Sequence, residues 1–213
     1  MVRAILWDND GVLVDTEHLY FLATREVMLS IGVEITEEIY RNIFLKEGIG
    51  PWHFAREKGL GENEIDNLKK QRNQVYTGLL SGKNYAIDGA EDVLMKLKPH
   101  YIMGVVTSAR REHFEMVHKV TNFLKYFDFV LTIEDYAKSK PDPQPYLEAL
   151  KKSGVASHEA LVIEDSQRGL IAAKAAGLTC WVIPTGLTMA SDFSRADKVL
   201  TDIHEVASLL LAK

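Results

Sequence analysis

The chain has 213 residues, of which 46% are hydrophobic and 26% are charged. This length suits one large domain or one domain carrying an insertion, and the composition excludes collagen, low-complexity disorder and a coiled coil. Asp and Glu outnumber Lys and Arg by 30 to 25, so the net charge is −5. Without a basic excess to neutralise phosphates, no nucleic-acid partner is expected.

The single cysteine, Cys180, cannot form a disulfide within the chain, which is typical of a reducing compartment. It lies in an apolar run and is interpreted as a core residue, not a catalytic thiol. The N-terminal segment turns acidic at Asp8, unlike a signal peptide, and no run of about 18 apolar residues predicts a membrane span. We therefore expect a cytoplasmic protein without a membrane partner, either a monomer or a homodimer.

Short apolar segments alternate with helical patterns along most of the chain. These segments are rich in Val, Ile and aromatic residues. Within them apolar and polar residues do not alternate strongly, which is typical of strands buried on both faces of a parallel sheet. They cover residues 2–7, 102–106, 127–132, 160–163 and 179–183. The helical patterns cover residues 90–97, 111–119, 145–153 and 170–176. Strand and helix in alternation predict an α/β fold with a doubly wound parallel sheet.

One stretch interrupts this alternation, because residues 16–84 contain helical patterns and no strand pattern. The helical patterns cover residues 17–30, 37–44 and 63–80. Such a stretch is too long for an ordinary connection between two strands of one sheet. The sequence therefore predicts an α/β core of residues 1–15 and 85–213, with an all-helical domain of residues 16–84 inserted into it.

Acidic residues follow the first predicted strand, in the segment DNDGVLVD that begins at Asp8. Ligands of open α/β sheets bind at the carboxyl ends of the strands. On extended backbone, Asp8 and Asp10 point the same way, and two such carboxylates repel each other unless a cation or proton lies between them. Oxygen ligands of this kind suit Mg²⁺. The alternative is a loop in which Asp-Gly only forms a turn.

A second acidic pair, Glu164 and Asp165, follows the strand predicted at 160–163. One interpretation is that Asp165 or Ser166 simply caps the next helix. The other is that the shared sheet brings both carboxylates to the metal site formed by the first pair.

Three more residues provide candidate phosphate ligands. Thr107 and Ser108 end the strand at 102–106, although a Thr-Ser pair before a helix is also an ordinary cap. Lys140 precedes a proline that favours extended backbone, and its ammonium can neutralise an anionic substrate and a nearby carboxylate. The alternative for Lys140 is a solvated lysine in a turn, and Lys138 is interpreted as a surface residue.

Taken in order, DNDGVLVD, VVTS, KSKPDP and VIEDS resemble the four motifs of the haloacid dehalogenase-like hydrolases. The match runs from Asp8 to about Thr185. The helical insertion resembles the type 1 cap of the branch that contains β-phosphoglucomutase and phosphoglycolate phosphatase. This resemblance implies a Rossmann-like core and a cap that closes over the site.

The resemblance also implies residue roles. Asp8 is the nucleophile that forms an aspartyl-phosphate, and Asp10 is the acid/base that protonates the leaving oxygen and then activates water. Thr107 and Ser108 bind the phosphoryl group, and Lys140 contacts both Asp8 and the phosphate. The cofactor is Mg²⁺, and its implied ligands are Asp8, Asp10 (through its backbone carbonyl), Glu164 and Asp165.

These roles favour a phosphatase that acts on a small phosphorylated metabolite. Asp10 distinguishes the chain from the dehalogenases that it resembles, which lack the second aspartate, and nothing marks Lys46 as the buried cap lysine of a phosphonatase. A sugar-phosphate mutase of the β-phosphoglucomutase type is the alternative, but it is expected to carry a histidine where Tyr20 falls. His18 lies about 200° away around the helix. A non-catalytic binding protein is the third alternative, although competent residues occupy every motif position.

Substrate choice is expected to depend on the cap. Lys46, Trp52, His53 and Arg56 are candidate contacts to the leaving group; alternatively, Trp52 packs inside the cap while Lys46 and Arg56 face solvent. Arg110 is interpreted as a solvated residue at a helix start. The histidines lack the spacing of a zinc site.

Overall fold

The structure, a computed structural model, describes residues 1–212, so Lys213, the last residue of the predicted core, lies outside the described residues. The centre of the core is a sheet of parallel strands in the order β3-β2-β1-β4-β5-β6. In chain order they are β1 (Ala4–Trp7), β2 (Ile102–Val106), β3 (Phe129–Leu131), β4 (Ala160–Glu164), β5 (Thr179–Val182) and β6 (Lys198–Val199). This arrangement confirms the predicted doubly wound α/β fold.

Helices connect the strands and form the insertion. They are α1 (Glu17–Leu29), α2 (Glu37–Tyr40), α3 (Trp52–Glu57), α4 (Glu62–Leu80), α5 (Ala90–Leu97), α6 (Arg111–Thr121), α7 (Gln144–Ser153), α8 (Gln167–Ala175) and α9 (His204–Leu211). A π-helical turn, Arg41–Lys46, continues α2. The strand predicted at 127–132 is shorter than expected and follows a 3₁₀ turn, Phe123–Tyr126.

Two apolar layers cover the sheet, and β1 contributes to both. Ile5 and Trp7 pack on one face with α5, α6 and α9, while Ala4 and Leu6 pack on the other face with α7 and α8. Successive strand residues point to opposite faces. Because both faces are buried, the strand is apolar at every position, which is why it was recognisable in the sequence. Cys180 is fully buried in the second layer, as expected of a core residue.

Helices α1 to α4 enclose a separate apolar cluster that includes Met28, Ile35, Tyr40, Leu45 and Ile65. Its own core supports our proposal that residues 16–84 form a cap domain inserted into the core of residues 1–15 and 85–213. Within the part of the chain that the structure describes, no helix combines the length and apolar character needed to cross a bilayer.

The chain reverses its direction across the sheet beside β1, which lies between β2 and β4. Trp7 pairs with Ile163 in register, and the amide of Asp8 donates to the Ile163 carbonyl at 2.9 Å. The carboxyl ends of β1 and β4 are therefore adjacent, at the position where open α/β sheets bind ligands.

Candidate active site

Lys140 lies in the centre of the acidic residues at this sheet edge. Its Nζ atom donates to Asp8 Oδ1 at 3.0 Å, Glu164 Oε1 at 2.6 Å and the Val106 carbonyl at 2.9 Å, so all three ammonium protons are used. The residue is only 2% exposed, which excludes the solvated lysine considered above. Burial alone would lower the pKa of Lys140, but the charges of Asp8 and Glu164 outweigh burial and raise it.

Three buried carboxylates cluster at this sheet edge, and two of them contact the ammonium. One oxygen from each of Asp8, Glu164 and Asp165 lies within 4.8 Å of the others. Burial and the charge of Glu164 raise the pKa of Asp8 to about 7, against the opposing effect of Lys140. Burial, then the charges of Asp8 and Glu164, raise the pKa of Asp165 well above its ordinary value. The clustered carboxylate oxygens are donors that a divalent cation fits.

Glu164 is held differently from the other two carboxylates. Its Oε1 accepts from Lys140 and the Tyr146 hydroxyl, and its Oε2 accepts from the Ser166 hydroxyl at 3.1 Å and the Asp165 amide at 3.3 Å. Burial alone would raise the pKa of Glu164, but the charge and hydrogen bond of Lys140 lower it. Glu164 therefore acts first as the buried partner of Lys140, which leaves Asp8 and Asp165 more available to a cation.

Gly169, in the first turn of α8, makes room for Glu164. A Cβ atom at Gly169 would overlap the carboxyl carbon and both oxygens of Glu164. We expect Gly169→Ala to lower the free energy of unfolding by about 1–3 kcal/mol, as overpacking does, in urea denaturation. The control is Gly78→Ala in α4, where a Cβ meets nothing within 4 Å and alanine is expected to stabilise the helix by up to about 1 kcal/mol. Equal stability of both variants would contradict this packing.

The Asp-Gly pair after β1 does form a turn, but it also shapes the site. Gly11 has a φ of 83°, and its amide donates to the Val14 carbonyl at 2.8 Å. A Cβ atom there would come within 2.7 Å of the Asp165 carboxyl carbon. Glycine therefore serves both the left-handed turn and the close approach of Asp165.

Asp10 lies apart from the three clustered carboxylates. Its Oδ1 accepts from the Thr16 hydroxyl, and its Oδ2 accepts from Asn9 Nδ2 at 3.2 Å and Thr107 Oγ1 at 3.3 Å. Thr107, which the sequence assigned to phosphate binding, thus donates its hydroxyl to Asp10 here. These donors orient Asp10, the residue expected to act as acid and base.

Asn9 connects Asp10 to a buried histidine on α6. Asn9 Oδ1 lies 2.8 Å from His118 Nε2, and His118 Nδ1 lies 2.9 Å from Thr121 Oγ1. Burial lowers the pKa of His118 to about 4, so the imidazole is neutral at pH 7. A proton on Nε2 lets His118 donate to Asn9 Oδ1, which turns the Asn9 amide nitrogen towards Asp10.

The buried His118 predicts a loss of stability in acid. The unfolded chain protonates this histidine near pH 6.5 and the folded protein only near pH 4, so its contribution, on the order of 3 kcal/mol, is present above pH 6.5 and lost as pH falls to 4. We expect His118→Gln to unfold with a flatter pH dependence than the wild type over this range, measured by urea denaturation. The control is His158→Gln, a substitution of an exposed histidine. Identical pH profiles for His118→Gln and the wild type would contradict the effect.

A cavity of about 340 Å³ adjoins the carboxylate site and has walls from both the core and helices α1 to α4. This volume suits a small metabolite. Its core wall includes Asp8, Asp10, Ser108, Ser139, Asp165 and Arg168. The hydroxyls of Ser108 and Ser139 are buried and have no hydrogen-bond partner within residues 1–212. Ser108 is a candidate phosphate ligand of the sequence analysis, and its role stays a prediction; Ser139 was not selected there.

The structure separates the cap residues that the sequence proposed for substrate contact. Trp52 lines the cavity, whereas Lys46, His53 and Arg56 are not part of its lining. Lys46 and Arg56 are exposed, and Arg56 donates to Glu62 at 2.8 Å. Lys46 and Arg56 are therefore solvated, which was the alternative interpretation of these two residues.

Sequence reasoning missed several cavity residues. Glu17, Arg72, Tyr76 and His113 line the cavity, although their helices show only an ordinary amphipathic pattern. Arg110 is exposed and donates to Glu112, as expected of a solvated helix start, yet it also borders the cavity.

The first helix of the insertion presents a tyrosine, not a histidine, to the cavity. Tyr20 lines the cavity and packs edge-on against Tyr76, with ring centroids 5.1 Å apart. The His18 side chain is 51% exposed and lies 4.0 Å from Asp15, outside the cavity lining. The position expected to carry the histidine of a mutase therefore carries a tyrosine.

Comparison with known proteins agrees with this geometry. The family model described as haloacid dehalogenase-like hydrolase matches residues 5–183. The chain is 34% identical to a phosphorylated carbohydrates phosphatase of Thermotoga maritima, over 83% of this chain and 82% of that protein. It is 30% identical to the validoxylamine A 7'-phosphate phosphatase of Streptomyces hygroscopicus subsp. limoneus, over 97% and 96% of the two chains. The crystal structure of CbbY from Rhodobacter sphaeroides in complex with phosphate superposes with a TM-score of 0.82 at 27% identity, covering 97% and 96%.

Proposed function

The chain belongs to the haloacid dehalogenase-like hydrolase family, and from this premise we propose that it is a Mg²⁺-dependent phosphatase working through an aspartyl-phosphate. It is a phosphoric monoester hydrolase, and its substrate is a small phosphorylated metabolite of the sugar phosphate kind. The observation that carries the mechanism is the cluster of Asp8, Glu164 and Asp165, in which Lys140 contacts Asp8 and Glu164 while Asp8 and Asp165 line the cavity.

Asp8 and Asp165 are the residues proposed to hold Mg²⁺, together with the backbone carbonyl of Asp10. The fit rests on geometry and donor chemistry, because carboxylate oxygens of Asp8, Glu164 and Asp165 lie within 4.8 Å of one another and Mg²⁺ prefers oxygen ligands. When bound, Mg²⁺ offsets negative charge on the transferring phosphoryl group.

The reaction proceeds in two displacements at phosphorus. A carboxylate oxygen of Asp8 bonds to phosphorus as the bond to the leaving oxygen breaks, and Asp10 gives that oxygen its proton. Asp10 then accepts a proton from the water that attacks the phosphoryl group, which releases phosphate and regenerates Asp8. Lys140 keeps its proton throughout, holding Asp8 in position and opposing the charge of the phosphoryl oxygens.

The test is hydrolysis of p-nitrophenyl phosphate with excess EDTA and after addition of Mg²⁺. We expect turnover with Mg²⁺ and at least about a hundredfold less with EDTA, because the buried carboxylates then repel the phosphoryl group. Absence of metal-dependent turnover would contradict the proposal and favour a binding protein. Interconversion of hexose 1- and 6-phosphates, followed by NMR, would instead indicate a mutase; with Tyr20 in the cavity, hydrolysis is the expected result.

A further inference from the structure

Tyr136 connects the two segments that carry the candidate phosphate ligands. It follows the 3₁₀ turn Ile133–Asp135 and does not itself line the cavity. Its hydroxyl donates to the Thr107 carbonyl at 2.7 Å. No other donor within residues 1–212 reaches that carbonyl. Tyr136 therefore ties the end of β2 to the segment that leads to Lys140.

The backbone at the end of β2 is held at three successive groups. Lys140 Nζ donates to the Val106 carbonyl at 2.9 Å, and the Thr107 amide donates to the Leu131 carbonyl at 2.9 Å. The Tyr136 hydroxyl holds the next group, which is the Thr107 carbonyl. These hydrogen bonds leave the peptide plane that follows Thr107 little freedom to rotate.

A fixed peptide plane determines the direction of the Ser108 amide. In a planar trans peptide the carbonyl oxygen and the amide hydrogen point to opposite sides. Because Tyr136 holds the Thr107 carbonyl, the Ser108 amide points away from Tyr136, and Ser108 lines the cavity. This amide donates to no acceptor within residues 1–212. It is therefore a free donor at the wall of the cavity that Asp8 also lines.

The protonation state of Tyr136 suits this role. Burial raises the pKa of the Tyr136 phenol, and the charge of Lys140 together with the neighbouring hydroxyls of Ser108 and Ser139 opposes that effect. The net shift is upwards from an ordinary pKa of 10. The phenol therefore keeps its proton at pH 7, as its hydrogen bond to the Thr107 carbonyl requires.

We propose that Tyr136 is a positioning residue for phosphoryl transfer, whose hydroxyl orients the Thr107–Ser108 peptide so that the Ser108 amide donates to an oxygen of the phosphoryl group at Asp8. The proposal rests on the phosphatase function above. Tyr136 itself touches neither the substrate nor the reacting atoms. Donors held in place before the reaction stabilise charge as it develops in the transition state. Loss of the Tyr136 hydroxyl should therefore affect the transition state more than substrate binding.

The test is Tyr136→Phe, which keeps the aromatic ring and removes the hydroxyl. Loss of one such donor lowers kcat by about 10²–10³, and here the donor is misaligned, not removed. We expect kcat with p-nitrophenyl phosphate and Mg²⁺ to fall about 10- to 100-fold, with KM changed less than about threefold. The inhibition constant of orthovanadate, which imitates five-coordinate phosphorus, should rise by about the same factor as kcat falls.

Orthovanadate separates positioning from folding. If the substitution only lowered the folded fraction, kcat would fall, but the inhibition constant of the remaining enzyme would stay at the wild-type value. Tyr101→Phe is the matched control, because the Tyr101 hydroxyl also donates to a backbone carbonyl, that of Leu210 at 3.1 Å, at the opposite end of β2. This variant should keep the wild-type kcat and inhibition constant.

Several results would overturn the proposal. Wild-type kcat in Tyr136→Phe would do so, as would a lower kcat with an unchanged orthovanadate constant, which would indicate a structural role only. A raised KM at unchanged kcat would place the effect on substrate binding, and an equal loss in Tyr101→Phe would show that it is not specific to this peptide. Each leaves the phosphatase function intact, whereas absence of metal-dependent turnover by the wild type would contradict that function itself.

Discussion

Replacing Asp8 with Asn is expected to abolish phosphatase turnover while the protein remains folded. An amide nitrogen or oxygen cannot form the acyl phosphate, so we expect kcat to fall by about 10⁴-fold or more, as for other residues that act in the bond-forming step. The fold should tolerate the change, because burial and Glu164 already raise the pKa of Asp8 to about 7. A neutral side chain of the same shape removes repulsion from the neighbouring carboxylates, while Glu164 still pairs with Lys140.

The measurement is kcat with p-nitrophenyl phosphate and Mg²⁺, alongside thermal unfolding of both proteins. Asp15→Asn is the matched control, because its side chain lies in the same segment but is 77% exposed. The control is expected to retain wild-type kcat and stability. A folded Asp8→Asn protein with near wild-type kcat would show that another group attacks phosphorus.

The strands of the core were predictable because each is buried on both faces. Continuous apolar segments such as Ala4–Trp7 and Ile102–Val106 stand out between polar helices. Strand β6 (Lys198–Val199) was not predicted, since it is two residues long and exposed at the sheet edge. Helix α3 was missed for a similar reason, because its six residues lie between glycine-containing turns.

The acidic residues of the site were predictable because they lie where strands end. Asp8 and Glu164 are distant in sequence, and the adjacency of β1 and β4 brings them together. Sequence pattern alone left open whether Lys140 was solvated, since its burial depends on the side chains of Asp8 and Glu164 meeting it. The individual hydrogen bonds of Asp10 could not be predicted from the sequence pattern either.

The cavity wall formed by the insertion was the least predictable part. Arg72 and Tyr76 share one face of a long helix, and only the packing of that helix against the core determines that this face lines the cavity. The local sequence pattern predicts which faces of a helix are apolar and which are polar. It does not predict which element each face packs against. Only the family resemblance indicated that Tyr20 falls where a mutase is expected to carry a histidine.

Replacing Lys140 with Met is expected to be the most destabilising single change at the site. The substitution leaves the buried carboxylates of Asp8 and Glu164 without their ammonium, and removing one partner of a buried ion pair costs about 3–5 kcal/mol. Activity should be lost as well, because the positive charge beside Asp8 is gone. Lys138→Met is the control: that lysine is 74% exposed and lies 3.7 Å from Asp142, so the expected cost is below about 1 kcal/mol.

A second substitution separates the fold from the chemistry. Adding Glu164→Gln to Lys140→Met removes one of the two uncompensated charges, so we expect the double variant to recover much of the lost free energy of unfolding, measured in urea at pH 7. Its kcat should stay at the level of Lys140→Met, since the ammonium that holds Asp8 and faces the phosphate is still absent. Lowering the pH should also narrow the stability gap between wild type and Lys140→Met, because protonation neutralises the unpaired carboxylates. If the double variant regained activity together with stability, Lys140 would serve the fold and not the phosphoryl transfer.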